Sequence, residues 1–178
     1  RLTRAPDGSW RPVLGVVYEP HHDLLYAALL GERPQLEVRE GGHLVAAMRG
    51  PRDTRRLVTS SRFPKEVRAA LLEHGFGDAG TRRSVGVKVG RMLRGEAEIY
   101  PAPHLSYWDL AAPQVILEAA GGTVSDIHGQ PPHYDFEAAA AARRPYRLSP
   151  VLLTLGTDHE QARTDFATVV ERFKSHAP

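Results

Sequence analysis

The spacing of apolar and polar positions changes along this chain, and each change marks an element. Val13 to Tyr18, Leu24 to Leu29, Leu57 to Thr59 and Ala97 to Tyr100 are short runs rich in apolar or β-branched residues, bounded by Gly, Pro or charge. Such runs predict strands. Between and after them the period lengthens. Lys65 to His74 repeats at Val67, Leu71 and Leu72, Val87 to Arg94 forms a shorter segment, and His159 to Lys174 places Ala162, Phe166, Val169, Val170 and Phe173 on one face. These spacings predict helices. Ala111, Ala112, Val115, Ile116, Ala119 and Ala120 give Asp109 to Ala120 a small-residue helical face suited to close packing. Gly121-Gly122 stops that helix, Thr123 to Ser125 reads as a short strand, Asp126 to Gly129 as a turn, and Val151 to Leu155 as a further strand. Gly31 to Pro51 is polar and Gly-rich and reads as a hairpin. The Ala138 to Ala142 run with Arg143-Arg144-Pro145 reads as a local insertion of low complexity. Strands alternating with helices predict an α/β layered domain, a mixed sheet flanked by helices, rather than a bundle.

Composition narrows the class. With 178 residues, 42% hydrophobic and 25% charged, the chain is long enough for one domain with its own core. Cysteine is absent, which removes disulfides, thiolate metal sites and Cys nucleophiles and suits a cytoplasmic setting. No run of apolar residues reaches membrane-spanning length and no secretory leader pattern is present, so no membrane partner is expected. A formal charge of +2 gives no argument for a nucleic-acid polymer. The basic clusters Arg52, Arg55, Arg56 and Arg82, Arg83 read as solvated surface, with phosphate attraction as the alternative. His21, His22, His104, His128 and His133 lack the spacing that puts two rings on one helical face for zinc, and read as surface or turn residues.

Chemistry concentrates at Asp109. As the first polar residue of an apolar helix it reads as the N-cap, a role worth about 1 kcal/mol, and the positive helix end favours its ionised form. Pro113 then falls in the first turn, where a missing N–H costs least. Glu118 and Asp126 read as structural acids.

Beyond single residues, Tyr107-Trp108-Asp109-Leu110-Ala111-Ala112-Pro113, followed by Ala120-Gly121-Gly122 and Asp126-Ile127-His128-Gly129, resembles the C-terminal signature of the magnesium-dependent, lithium-sensitive phosphatase superfamily that includes inositol monophosphatases. Within it the chain is most similar to 3'(2'),5'-bisphosphate nucleotidases of the CysQ type. Pro12-Val13-Leu14-Gly15-Val16-Val17-Tyr18-Glu19-Pro20, Arg56 to Arg62, and Ser84-Val85-Gly86-Val87-Lys88 with Gly95 and Ala97 to Pro101 carry the likeness from about Pro12 to Tyr134. The resemblance implies the C-terminal lobe of an αβαβα sugar-phosphatase fold, Mg²⁺ as cofactor (two or three ions in the complete enzyme), a small phosphorylated substrate and a possible homodimer.

Residue roles follow from the same resemblance. Asp109 matches the catalytic metal ligand, Lys88 the lysine near the nucleotide's second phosphate, and Ser60 a hydroxyl that contacts nucleotide. Ser84 and Gly86 open a loop-to-helix junction whose backbone N–H groups can cradle phosphate, although Ser84 stands where the family has Gly. Arg62 ends the strand and loop that carry substrate contacts in the family and is taken as a substrate-binding residue, and beside it Phe63 occupies a place where the family often has His. Phe can stack on a base but cannot donate to phosphate. The resemblance as a whole implies adenosine 3',5'-bisphosphate as substrate, a claim that Phe63 does not strengthen, with an inositol or sugar phosphate as the enzyme alternative.

The family's other metal ligands come from a Glu-Glu pair and an Asp-Pro-x-Asp-Gly-Thr motif, and neither occurs in this sequence. Asp7-Gly8-Ser9 imitates the second but reads as an Asp-Gly turn. Two-metal hydrolysis needs several clustered carboxylates. The expectation is accordingly a single C-terminal phosphatase lobe, 1-178, whose N-terminal metal-binding lobe lies outside this chain or on a complementing chain, and which is inactive alone. A non-catalytic module that binds a phosphorylated ligand or serves assembly is the reading from another class.

Overall fold

A computed structural model describes residues 1–4, 8, 10–45, 54–141, 146–148 and 150–174, the last three as backbone. Asp7, Ser9, the end of the expected hairpin at Pro51, Arg52, Ala142 to Pro145 and the Phe173 side chain lie outside the described residues. The strands are β1 (Leu2–Arg4), β2 (Trp10–Pro12), β3 (Leu14–Glu19), β4 (Leu24–Leu29), β5 (Gln35–Glu40), β6 (His43–Val45), β7 (Arg56–Thr59), β8 (Gly77–Thr81), β9 (Ile99–Ala102), β10 (Thr123–Asp126) and β11 (Val151–Thr154). Helices are α1 (Lys65–Glu73), α2 (Val85–Leu93), α3 (Tyr107–Ala119), α4 (Phe136–Ala141) and α5 (His159–Lys174).

β3 to β6 form an antiparallel meander, and a five-stranded mixed sheet runs in the order β10-β11-β9-β7-β8. β7 is parallel to both β8 and β9, whereas β11 is antiparallel to β9 and β10. The alternation of side chains along the central strands builds two separate cores. Val58, Tyr100 and Leu153 face one way and pack with Val89, Met92, Leu93, Leu110, Val115, Ile116 and Leu117 of α2 and α3, and with Leu24, Tyr26 and Val38 of the meander. Their neighbours Leu57, Ile99 and Leu152 face the other way, onto Leu71 of α1 and Ala162, Phe166 and Val169 of α5. The layers therefore run meander, α2/α3, mixed sheet, α1/α5, as the alternation of elements predicts.

Several details depart from expectation. β8, Gly-Asp-Ala-Gly-Thr, has no strand-like composition, and it extends because β7 supplies a parallel ladder. β1 and β2 pair as antiparallel strands, and the low-complexity segment starts with the short helix α4, whose Ala139 packs on Tyr107 and Tyr134. The small-residue face of α3 does pack closely: a Cβ placed on Gly15 of β3 would lie 2.5 Å from the Ala112 carbonyl oxygen. Gly121, at φ +84°, ends α3; its N–H bonds the Glu118 carbonyl and the Gly122 N–H that of Leu117. Among the described residues no helix is long and apolar enough to cross a membrane.

Candidate active-site cleft

A cleft of about 940 Å³ opens where the two helices between the sheets begin. β3 contributes Val16 and Val17, the turn after β7 contributes Ser60, Arg62 and Phe63, and the start of α2 contributes Arg83, Ser84 and Gly86. Tyr100, His104, Ser106, Trp108, Asp109 and Arg147 complete its polar and aromatic lining. Five of the six residues singled out in the sequence, Ser60, Arg62, Ser84, Gly86 and Asp109, thus share one cavity.

Asp109 is not the N-cap expected from the sequence. Ser106, in extended conformation, holds that place, and Asp109 is the third helical residue, its Oδ2 accepting the Ser106 N–H at 3.3 Å. The helix begins two residues early because the Tyr107 N–H is held by the Tyr146 carbonyl at 2.9 Å and the Tyr107 ring packs on Tyr134, Phe136 and Tyr146. Pro113 consequently lies inside the helix rather than in its first turn, and its missing N–H leaves the Asp109 carbonyl without the usual helical donor. Trp108 and Asp109 are exposed into the cleft while Leu110 beside them is fully buried.

At α2, Ser84 is the N-cap: its Oγ accepts the Val87 N–H at 3.3 Å, so the helix starts at Val85 and not Val87. The first N–H groups of α2 have no helical partners, and Ser84, Val85 and Gly86 line the cleft, an arrangement that suits an anion. Gly86 permits this closeness, since a Cβ there would meet Val17 Cγ1 at 2.7 Å. Ser60 stabilises its own turn by accepting the Arg62 N–H at 3.3 Å. Phe63 lines the cleft but is only 6% exposed and belongs to the core between the mixed sheet and α1/α5, which leaves little of its ring for a base.

Lys88 is not the exposed helix lysine of one reading, and its ammonium is engaged by backbone. Its side chain is fully buried and absent from the cleft lining, with Nζ donating to the carbonyls of Arg82 and Arg83 at 3.1 Å each and lying 4.5 Å from the centre of the Tyr100 ring. Burial pulls the ammonium down from 10.5 to about 8, against the opposing charge of Asp109, and burial pushes the Tyr100 phenol up. Lys88 clamps the backbone that leads into the α2 cap.

Among the described residues Asp109 is the only acid lining the cleft, against the guanidiniums of Arg62, Arg83 and Arg147. Among the described residues no three His, Cys, Asp or Glu side chains converge. This donor set does not fit a two-ion magnesium centre, for which hard oxygen ligands must come from several carboxylates. Asp126 accepts the N–H groups of His128 and Gln130 within its own turn and Glu118 accepts Gln114, so neither supplies the deficit. Arg55 pairs with Asp165 and stacks on Phe76, which makes it structural, whereas Arg83 of the other basic cluster faces the cleft. Arg147 and Ser106 were not singled out by sequence reasoning. Arg147 arrives through a bridge to Ser106 across 41 residues, for which no local pattern exists.

A family model for the inositol monophosphatase family matches residues 9–161, most of the chain. The chain belongs to the inositol monophosphatase family. Over 134 residues it is 31% identical to the 3'(2'),5'-bisphosphate nucleotidase CysQ of Escherichia coli K12, covering 70% of this chain and 50% of that protein. A 54-residue stretch is 44% identical to rat 3'(2'),5'-bisphosphate nucleotidase 1, covering 29% of this chain and 18% of the relative. In three dimensions it resembles an inositol monophosphatase from Zymomonas mobilis, with a TM-score of 0.62, 21% identity, and coverage of 89% of this chain and 60% of the other. Thus the chain spans about half the length of the CysQ relative and about three fifths of the solved structure.

Proposed function

We propose that the complete protein is a magnesium-dependent phosphomonoesterase acting on 3'(2'),5'-bisphosphate nucleotides such as adenosine 3',5'-bisphosphate, and that this chain is its C-terminal lobe. The observation that carries the reading is the meeting of Asp109 and the capped start of α2 in one cleft, together with Arg62, Arg83 and Arg147, which hold no carboxylate among the described residues. Asp109 supplies one oxygen ligand; among the described residues no hydrogen bond engages its Oδ1. The remaining carboxylates belong to the part of the family's length that this chain does not span. Ser60, Arg62, Ser84 and Gly86 hold the substrate, with Lys88 acting on it through the Arg82–Ser84 backbone.

The meander supports a further strand at its edge. Among the described strands β3 pairs with β4 alone, and its Leu14, Val16 and Tyr18 side chains are exposed. The β1–β2 register, Leu2 opposite Pro12 and Arg4 opposite Trp10, runs directly into β3, where the Val13 N–H bonds the Arg1 carbonyl at 2.9 Å. A strand continuing this ladder would cover the open edge and bring its side chains beside the cleft.

The test compares phosphate release by the complete protein and by the 178-residue chain, with magnesium, on adenosine 3',5'-bisphosphate, inositol monophosphate and sugar phosphates. The reading expects turnover by the complete protein, strongest on the bisphosphate nucleotide, and none by the chain alone. Preference for inositol monophosphate would transfer the assignment to the enzyme alternative. Binding without turnover of any ester by the complete protein would favour the non-catalytic module.

A further inference from the structure

We propose that Arg83 and Arg147 form a second anion site in the cleft and make ligands with two separate phosphate groups the preferred class. This rests on the reading of Asp109 and the α2 start as the place of the phosphate that is cleaved.

Pairing divides the chain's arginines into two groups. Arg39, Arg55, Arg68, Arg91, Arg94 and Arg163 each hold a carboxylate. Arg62, Arg83 and Arg147 have no ion pair among the described residues, and all three line the cleft, where Asp109 is the only acid among the described lining residues; with Arg62 assigned to the cleaved phosphate, Arg83 and Arg147 remain. A ligand bearing one phosphate at Asp109 and α2 leaves this positive charge without a partner.

Both arginines also stand on backbone that the fold fixes. The Arg83 carbonyl accepts from buried Lys88 at 3.1 Å, and the next residue is the cap of α2. Arg147 is bridged to Ser106, with the Tyr107 N–H on the Tyr146 carbonyl at 2.9 Å and the Leu148 N–H on the Leu105 carbonyl at 3.0 Å. Tyr146 takes a left-handed φ of +58°, uncommon for a large side chain, and its ring packs against Tyr107, Trp108 and Phe136. The strain and the packing deliver Arg147 to the cleft beside the start of α3. A guanidinium is permanently charged and presents a planar fork that matches two phosphate oxygens, which suits it to the second phosphate better than Lys88, whose ammonium is buried on two backbone carbonyls.

Arg83→Gln and Arg147→Gln, made in the complete protein, separate this from a general role. Adenosine 3',5'-bisphosphate and adenosine 3'-monophosphate share the cleaved phosphate and differ in the second. Each variant is expected to raise KM for the bisphosphate about tenfold, the effect of removing one charge-assisted hydrogen bond, and to change KM for the monophosphate less than twofold. Arg→Lys variants should recover part of the loss. Equal effects on the two nucleotides, or none on either, would overturn the proposal. Calorimetric titration of the same nucleotides keeps the two readings distinct. If the wild-type protein cleaves neither ester the phosphatase assignment fails, while selective weakening of bisphosphate binding in the variants still supports the arginine site and unchanged binding overturns it.

Discussion

Replacing Lys88 by Met tests the clamp beneath the cleft. Nζ has two backbone carbonyls and the Tyr100 ring for company and no solvent. The folded protein holds the ammonium near pKa 8 against 10.5 in the unfolded chain. A folded pKa below the unfolded value means that the unfolded state binds more protons between these limits, so this group's penalty is greatest at neutral pH and shrinks as pH rises. Integrating over the shift, wild type should gain about 2 kcal/mol relative to Lys88→Met between pH 7 and pH 9.5. At pH 7 the variant escapes that penalty but abandons two carbonyls in the interior, each loss costing about 1–3 kcal/mol. Its stability at pH 7 should therefore lie close to wild type or modestly below it. Urea unfolding of both proteins at pH 7, 8, 9 and 9.5 measures the difference, in which the titration of tyrosines cancels to first order. Parallel curves, with a constant gap at every pH, would refute the reasoning.

Three further outcomes follow from the packing. His159 donates from Nε2 to Ser125 Oγ, whose own hydroxyl is given to the Asp126 carbonyl, and accepts the Thr154 hydroxyl at Nδ1. Burial lowers its pKa below 6.5, so its contribution is complete above pH 6.5 and is lost as pH falls through that value; thermal unfolding at pH 5 and 7 should show a smaller loss for His159→Gln than for wild type. Gly15→Ala forces a Cβ into the Ala112 carbonyl and should cost about 1–3 kcal/mol in urea unfolding, where an unchanged midpoint would show that α3 yields freely. Arg94→Met strands the buried Glu19 carboxylate, which Arg94 holds at 2.8 Å, and should destabilise by about 3 kcal/mol at pH 7; a near-neutral effect by the same assay would mean that Glu19 finds another partner.

The layers were legible in the sequence wherever burial alone decides the element. The β3 and β4 runs, the face of α5 and the small residues of α3 carry their packing in their spacing, as Gly15 against Ala112 shows. β8 was not legible, because Gly-Asp-Ala-Gly-Thr extends only through its parallel neighbour. At the site, Ser60, Ser84, Gly86 and Asp109 lie in motifs that survive as local sequence. The true start of α3 depends on Tyr107 being held by Tyr146, and Arg147 enters through the same bridge, so both needed the fold. Lys88 shows the converse difficulty. A lysine at a loop-to-helix junction reads equally well as a phosphate contact or a surface residue, and only the packing of Tyr100 and the Arg82–Arg83 backbone makes it an internal clamp.

The most direct measurement is magnesium-dependent phosphate release from adenosine 3',5'-bisphosphate by the complete protein and its Asp109→Asn variant. Asn keeps the size of the side chain and an oxygen for the Ser106 N–H, so the start of α3 should persist while the charge is lost. The account predicts activity that requires magnesium and falls at least about a hundredfold in the variant, with its thermal midpoint little changed. Activity within a few fold of wild type would contradict the placement of the reaction at Asp109.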